Sequence, residues 1–223
     1  MISIAIDGPA GAGKSTIAKA VAKSLGYIYV DTGALYRTIG LYAVRRGIST
    51  KNKQAVTKLL PDIRIDLKFI DGEQRVFLCG EDVSDYIRTA EISMAASNVS
   101  AMDTVRAFLF DLQKNMANKH NVLMDGRDIG TVVLPNANVK IFLTASPEER
   151  AKRRYADMLE KEADITFEQV LEDIKLRDYN DSHRDIAPLV PADDAVLVDT
   201  TGETLEESIS RLEGVIKDRL ELR

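Results

Sequence analysis

Cysteine and histidine are nearly missing from this chain of 223 residues, which has one cysteine, Cys79, and two histidines, His120 and His183. A lone cysteine excludes an internal disulfide, and so few thiols and imidazoles offer no metal-ligand cluster. No uncharged apolar run approaches the ~18 residues that a membrane span needs. The opening MISIAIDGPAG lacks a basic segment followed by an apolar stretch and cleavage site, so no signal peptide is expected and a reducing, cytoplasmic setting is the default. A basic excess is missing too: 30 Lys plus Arg stand against 35 Asp plus Glu, a net charge of −5. Neither nucleic acid nor an anionic membrane is therefore expected as a partner. A small anionic ligand stays open, since it needs only a few cations in one place. Hydrophobic residues at 45% and charged residues at 29% exclude wholesale disorder. At about 150 residues per domain, the length suggests one domain with a sizeable excursion, or two small ones.

What is present reads as strands alternating with helices. Residues 2–7 (ISIAID) form a short apolar run bounded by Gly8 and Pro9, which predicts a buried strand. Residues 14–25 carry Ile17, Ala18, Val21, Ala22 and Leu25 as a helical stripe. Further strands are predicted at 27–30, 121–124, 139–144 and 195–198, and helices at 34–46 and 103–119. Ser146, Thr166 and Thr204, each followed three residues later by Glu or Gln, look like capping boxes. Strands separated by helices imply βαβ units and a five-stranded, mainly parallel sheet flanked by helices. Residues 63–70 (IRIDLKFI) break the rhythm with period-two alternation. Asp71-Gly72 and RVFL at 75–78 follow, predicting an antiparallel hairpin in an inserted lobe.

The strongest signal lies at the start. Gly8, Pro9, Ala10, Gly11, Ala12, Gly13, Lys14, Ser15 and Thr16 fit G-x-x-x-x-G-K-[ST] and sit between a predicted strand and helix. Glycines let the backbone wrap a phosphate, so that amide N–H groups and the helix N-terminus face the anion. Lys14 would reach the β- and γ-phosphates, and the Ser15 hydroxyl would ligate Mg²⁺. A guanine reader N-K-x-D is missing, since NKQA at 52–55 and NKHN at 118–121 both lack the Asp. The single D-x-x-G, at 199–202, lies too late to act as an early switch. A GTPase is therefore not expected.

Arginine–aspartate clusters could hold a second anion. In DTGALYR (31–37), Thr32 could cap a helix while Arg37 forks onto a phosphate. A cap plus a surface arginine would explain the same letters. Asp125-Gly-Arg127-Asp128 follows a predicted buried strand, and the carboxyl ends of parallel strands are where α/β sheets bind ligands. Arg177, Asp181 and Arg184 share one helical face if the helix continues that far, as an ion pair would also require. Arg150, Arg153 and Arg154 also share a face, where like charges repel. An arriving triphosphate would relieve that repulsion, as in a closing lid, and so would a solvated face with Glu148, Glu149 and Glu160 as partners.

GPAGAGKST, DTGALYR, DGRDIGTVVLP and IKLRDYNDSHRDIAPLVPADDAVLVDTT, in that order and spacing, resemble the bacterial-type cytidylate kinases over nearly the whole chain. The P-loop is shared by many families, whereas the other three blocks are far more specific. The resemblance implies a P-loop core (1–31, 98–145 and 163–223), an NMP-binding region (32–97) with the hairpin insert, and a short lid (146–162). It also implies ATP with Mg²⁺ as donor and CMP or dCMP as acceptor. By the same resemblance, Ser97, Arg106 and Asp128 would recognise cytosine. Arg177 and Asp181 would hold the ribose, with Ser97 shared, and Thr32, Arg37, Arg127 and Arg184 would grip the acceptor phosphate region. Lys14 and the lid cations Arg150, Arg153 and Arg154 would act in catalysis. Thr32 replaces a serine found in some members and keeps the hydroxyl. His183 stands where asparagine is common, and no role is assigned to it.

The chemistry agrees independently. A phosphate monoester has a second pKa near ~6, so its oxygen is largely ionised at neutral pH and needs no general base. Catalysis then reduces to aligning two anions and neutralising charge, which suits an arginine-rich set without a catalytic histidine. Two alternatives remain: a P-loop kinase of a small hydroxyl metabolite, with Asp31 or Asp128 as base, and a regulatory module that binds nucleotide without phosphoryl transfer. A monomer is the simplest expectation.

Overall fold

The computed structural model describes residues 1–70, 72–159 and 165–221. Asp71 of the predicted turn, and Glu160 and the rest of 160–162 of the predicted lid, lie outside these described residues. Among the described residues, five parallel strands form the main sheet. They are β1 (Ser3–Asp7), β2 (Ile28–Asp31), β6 (Val122–Gly126), β7 (Val139–Thr144) and β8 (Val196–Asp199), in the order β2-β6-β1-β7-β8. Ile4, Ala5 and Ile6 of the central strand are fully buried, because helices cover both faces of a parallel sheet. On one face lie α1 (Lys14–Leu25) and α8 (Leu205–Leu220), whose Ile17, Val21, Leu212 and Ile216 meet Ile6, Ile141 and Leu143. On the other, α5 (Asp103–Lys119) brings Ala117 against Val122 and Met124, beside a single π-helical turn at Ile129–Val133.

A second core holds the excursion together. Leu35 and Ile39 of α2 (Thr32–Arg45), Ile92 and Val99 of α4 (Ala90–Ser100), and Leu109 of α5 share it with the insert residues Ile65, Val76 and Leu78. Helices α2 and α4 approach so closely that a Cβ on Gly40 would lie 2.9 Å from that of Ala95. The insert is richer than the predicted hairpin. β3 (Ile65–Ile70) and β4 (Glu73–Leu78) pair antiparallel, and a two-residue strand β5 (Glu81–Asp82) adds a third. Two-residue strands have no readable period, which is why the sequence hid it. α3 (Lys53–Leu59) leads into this lobe. α6 (Pro147–Leu159) and α7 (Phe167–Ser182) follow β7.

Two caps differ from expectation. Asp31, not Thr32, caps α2, its Oδ1 accepting the Ala34 N–H at 3.0 Å. Thr166 and Thr204 make complete capping boxes, but Ser146 makes half of one. Its Oγ accepts from the Glu149 N–H, while its own N–H goes to Thr201 and Glu149 turns to Arg153. Helix α7 stops at Ser182, so Arg184 lies past its end rather than on its face.

All five strands point the same way, so their carboxyl ends share one rim. Gly8 leaves that rim at φ +150°, and a Cβ there would sit 1.9 Å from the Leu143 carbonyl oxygen. Gly8→Ala should therefore destabilise the fold by about 2 kcal/mol or more, from backbone strain and displacement of the loop from β7. Urea unfolding checks this, and an unchanged midpoint would refute it.

Candidate active site

The loop between β1 and α1 turns on Gly11 (φ +75°) and Gly13 (φ +79°), left-handed positions that side chains rarely adopt. Gly13 occupies the N-cap of α1 without any side-chain cap, leaving first-turn N–H groups open to an anion. Lys14 is buried and its Nζ donates to the Gly8 and Pro9 carbonyls, both at 2.7 Å. Burial pushes the Lys14 ammonium well below its ordinary pKa, and Arg127 adds to this; Asp125, Asp7 and Asp181 oppose it. A bound polyphosphate would oppose it further.

Asp125, at the end of β6, was noted as part of a motif but given no role from sequence. Its Oδ2 accepts from Ser15 Oγ at 2.9 Å and its Oδ1 from the Tyr29 hydroxyl at 3.1 Å, while Thr32 Oγ1 donates to its carbonyl at 2.7 Å. Burial, with Asp31 close by, pushes the Asp125 carboxyl up to about 6. A serine hydroxyl and a desolvated carboxylate beside a phosphate loop are hard oxygen donors of the kind Mg²⁺ takes, one or two protein oxygens supplemented by phosphates and water. The residues present fit that ion. Asp7 was missed altogether. It is buried at the end of β1, accepting the N–H groups of Ile129 and Gly130, each at 2.7 Å, and burial pushes its carboxyl up to about 6.

A cavity of about 760 Å³ runs from the loop to the remaining sequence-predicted residues except Thr32 and Arg150. Arg37, Arg106, Arg127, Arg177 and Arg184 line it, together with Asp31, Asp128 and Asp181. Arg37 pairs with Asp31 at 2.6 Å and Arg127 with Asp181 at 2.9 Å. Arg106 pairs closely with Asp128, whose other oxygen lies 3.5 Å from Arg184. Thus Asp181 pairs across to Arg127, not along its own helix to Arg177. Burial lowers the Arg177 pKa to about 10, and repulsion from Arg127 and Arg154 adds to it. Arg184 is lowered by burial as well, against the pull of Asp128. Burial raises Asp181, yet Arg127, Arg184 and Arg177 together hold it below the usual carboxylate range.

Three of these guanidinium groups have buried nitrogens, Arg37 Nε, Arg177 Nε and Arg184 Nη2, with no hydrogen-bond partner among the described residues. Arg184 Nη2 has the 3.5 Å ion pair with Asp128, whereas Arg37 Nε and Arg177 Nε have no acceptor; buried donors so poorly satisfied are rare, and on one cavity wall they call for an oxygen-rich anion. Ser97 lines the same wall, as do Ser93 and Ser100 one helical turn to either side on α4, which sequence reasoning did not single out. Tyr36 lines it too, although its only sequence signal was its place beside Arg37. Thr32 is buried and turned to the Asp125 carbonyl, so it stands behind the wall rather than on it.

Nearer the loop, the three arginines of α6 expected in a lid part company. Arg153 and Arg154 line the cavity, and Arg153 Nη2 also donates to the Thr200 carbonyl at 2.8 Å. Arg150 corrects the expectation of a third lid cation. It is 3% exposed, forks onto Asp178, and donates to the Ala10 and Ala145 carbonyls. With four of its five N–H groups engaged, it braces the phosphate loop from behind. Glu203, Thr204 and Leu205 close this end of the cavity, a wall visible in sequence only as a helix cap.

Asp7 and Asp125 both bind a proton more readily folded than unfolded, their ordinary value being 3.8. Their contribution to stability is fully present below that value and is lost as pH rises to about 6. Asp125→Asn removes one such group, so its unfolding free energy should fall less across this window, by on the order of 1–3 kcal/mol. Chemical denaturation at intervals between about pH 4 and 7 tests the sign, and parallel curves for variant and wild type would contradict it.

Comparison with known proteins meets this geometry from outside. The family model described as cytidylate kinase matches residues 4–218. A cytidylate kinase of Caldicellulosiruptor bescii is 50% identical, over 95% of this chain and 93% of its own. That of Ligilactobacillus salivarius is 50% identical over 98% and 97%, and that of Lactobacillus johnsonii 49% over 98% and 95%. Among solved structures, a protein of Eubacterium ventriosum described as uncharacterized aligns with a TM-score of 0.52 at 12% identity, covering 97% of this chain and 99% of that one; this likeness concerns the fold alone. With its phosphate loop and arginine-lined cavity, and with relatives matched nearly end to end, the chain belongs to the cytidylate kinase family.

Proposed function

We propose that the protein is an ATP-dependent nucleoside monophosphate kinase that converts CMP or dCMP to CDP or dCDP. The observation that carries this reading is one cavity joining a phosphate loop to arginines whose buried donors are not fully engaged, Arg37 Nε and Arg177 Nε with no partner and Arg184 Nη2 with only a 3.5 Å ion pair to Asp128. Two anion sites share one chamber. ATP takes the loop, with Gly8 to Thr16 around its phosphates, and the acceptor takes the far half. There Arg37, Arg127 and Arg184 hold the acceptor phosphate, Arg177 and Asp181 the ribose, and Ser97, Arg106 and Asp128 the cytosine. Residues 32–97 act as the acceptor lobe and 146–162 as the lid.

In the reaction an ionised oxygen of the acceptor phosphate attacks the γ-phosphorus; the new P–O bond forms as the bond to the β–γ bridging oxygen breaks, and ADP leaves. Lys14 and the loop N–H groups neutralise charge on the transferring group, and Arg153 and Arg154 add to this from α6. Ser15 and Asp125 would hold Mg²⁺, which supplies charge neutralisation between the β- and γ-phosphates when bound. The arginines orient the acceptor in line, the larger part of catalysis where no proton must be removed.

The hydroxyl-acceptor reading fares worse. Asp31 is engaged as a helix cap and with Arg37, and Asp128 is held between Arg106 and Arg184, so both carboxylates are committed to partners within the chain. A monomer remains part of this proposal. No helix among the described residues is long and apolar enough to cross a membrane. Work in the cytoplasm, where ATP is at hand, is part of the same proposal.

A coupled assay of ADP release with CMP, dCMP, UMP, AMP, GMP and a shikimate-type alcohol discriminates the readings. CMP and dCMP should lead. Release with CMP no higher than without acceptor would sink the proposal, and turnover of the alcohol alone would favour the second reading. Lys14→Met should lower kcat at least about a hundredfold with the melting temperature retained; wild-type turnover would remove Lys14 from the chemistry.

A further inference from the structure

The inserted sheet β3–β4–β5 touches the main sheet at one informative place. β2 is an edge strand, and its last residue, Asp31, turns a backbone N–H and C=O away from its partner β6. Such edge groups normally await another strand or water. Here the side chain of Gln74, second residue of β4, answers both. Its Oε1 accepts the Asp31 N–H at 3.0 Å, and its Nε2 donates to the Asp31 carbonyl at 3.3 Å. A carboxamide carries a donor and an acceptor side by side, spaced to meet a backbone N–H and C=O together, so the side chain acts as a one-residue strand. The neighbouring contact, Lys19 with Glu73, is an exposed ion pair of the kind worth little.

Asp31 is no ordinary residue to grip. One carboxylate oxygen caps α2 through Ala34, and the other holds Arg37 at 2.6 Å. Arg37 in turn reaches the cavity with a buried Nε that no described residue accepts. A chain of contacts therefore runs from the tip of the insert, through the Asp31 backbone and carboxylate, to an arginine awaiting an anion. We propose that Gln74 is a positioning residue for the acceptor phosphate: by clamping the backbone of Asp31 it fixes Arg37, and so fastens the inserted lobe to acceptor binding. This rests on the kinase reading given above.

The experiment compares wild type, Gln74→Ala, Arg37→Ala, the double variant, and Glu73→Gln as a control that loses only the surface pair. Losing a backbone clamp of two hydrogen bonds should raise the KM for CMP about five- to tenfold, with the KM for ATP within about twofold and kcat little changed. Glu73→Gln should stay within about twofold of wild type throughout. In the Arg37→Ala background, Gln74→Ala should add nothing further to the CMP KM, because coupled residues are not additive. A merely structural role would instead shift both substrates or add in full. Melting curves accompany each variant. Should Gln74→Ala not fold, Gln74→Glu keeps the length and the acceptor but removes the donor, and the same selective rise in CMP KM is expected of it.

An unchanged CMP KM in the folded variant, an equal rise for ATP, or full additivity in the double variant would overturn the inference alone. Wild type that does not phosphorylate CMP would overturn the assigned activity and the inference with it, so the two failures are distinguishable.

Discussion

Like charges must be brought together before the ligand that neutralises them arrives, and the rest of this structure is organised around that demand. Lys14, Arg37, Arg127, Arg177 and Arg184 converge on one cavity, several of them desolvated. The chain meets the demand by leashing most of them to an aspartate on a different element. Asp31 ends β2 and holds Arg37; Asp181 near the end of α7 holds Arg127 from the loop after β6; Asp128 lies between Arg106 of α5 and Arg184 beyond α7. Each leash leaves part of its guanidinium uncommitted, and that remainder is what the proposed acceptor site would use. Neutralising the arginines fully would leave nothing to hold a phosphate, and leaving them all unpaired would destabilise the fold through repulsion and burial.

A parallel sheet makes this arrangement reachable. Its carboxyl rim gathers the phosphate loop after β1, Asp31 after β2 and the Asp125–Asp128 segment at β6 within one chamber, though they lie far apart in sequence. Helices α4, α5 and α7 then bring in side chains from the periphery. Arg150 shows the same economy in reverse: its ionic partner Asp178 and the Ala10 carbonyl use it up as a brace, which frees Arg153 and Arg154 on the same helix to face the cavity.

Local patterns were legible and pairings were not. The strand–loop–helix of the phosphate cradle, the strands of the parallel sheet and two of three capping boxes follow from short-range periodicity and cap chemistry, which act within a few residues. Asp31 as the cap of α2 was within reach too, since aspartate is a stronger N-cap than the threonine beside it. What could not be read depends on contacts between distant segments. Asp181 is equally consistent in sequence with Arg177 one turn away and with Arg127, 54 positions off, and only the fold chooses the latter. The same holds for Arg150, which shares a helical face with Arg153 and Arg154 until packing decides which side is inward. Asp7 gave no signal at all, because a carboxylate ending a buried strand acquires its role only from the turn packed against it.

That turn bears on how the reaction is made reproducible. Asp7 ends the strand that leads into the phosphate loop, and its carboxylate takes the first N–H groups of the π-helical turn directly after Asp128. Donor cradle and Asp128 are therefore parts of one frame, tied through a buried carboxylate rather than through mobile surface loops. Arg37 on α2 and Arg177 with Asp181 on α7 approach that frame from elements of their own. For a reaction with no proton to remove, the rate depends on how closely the acceptor oxygen is held in line with the γ-phosphorus. Fixing Asp128 and the loop together while the arginines come from outside confines the variable part of that alignment to the helices.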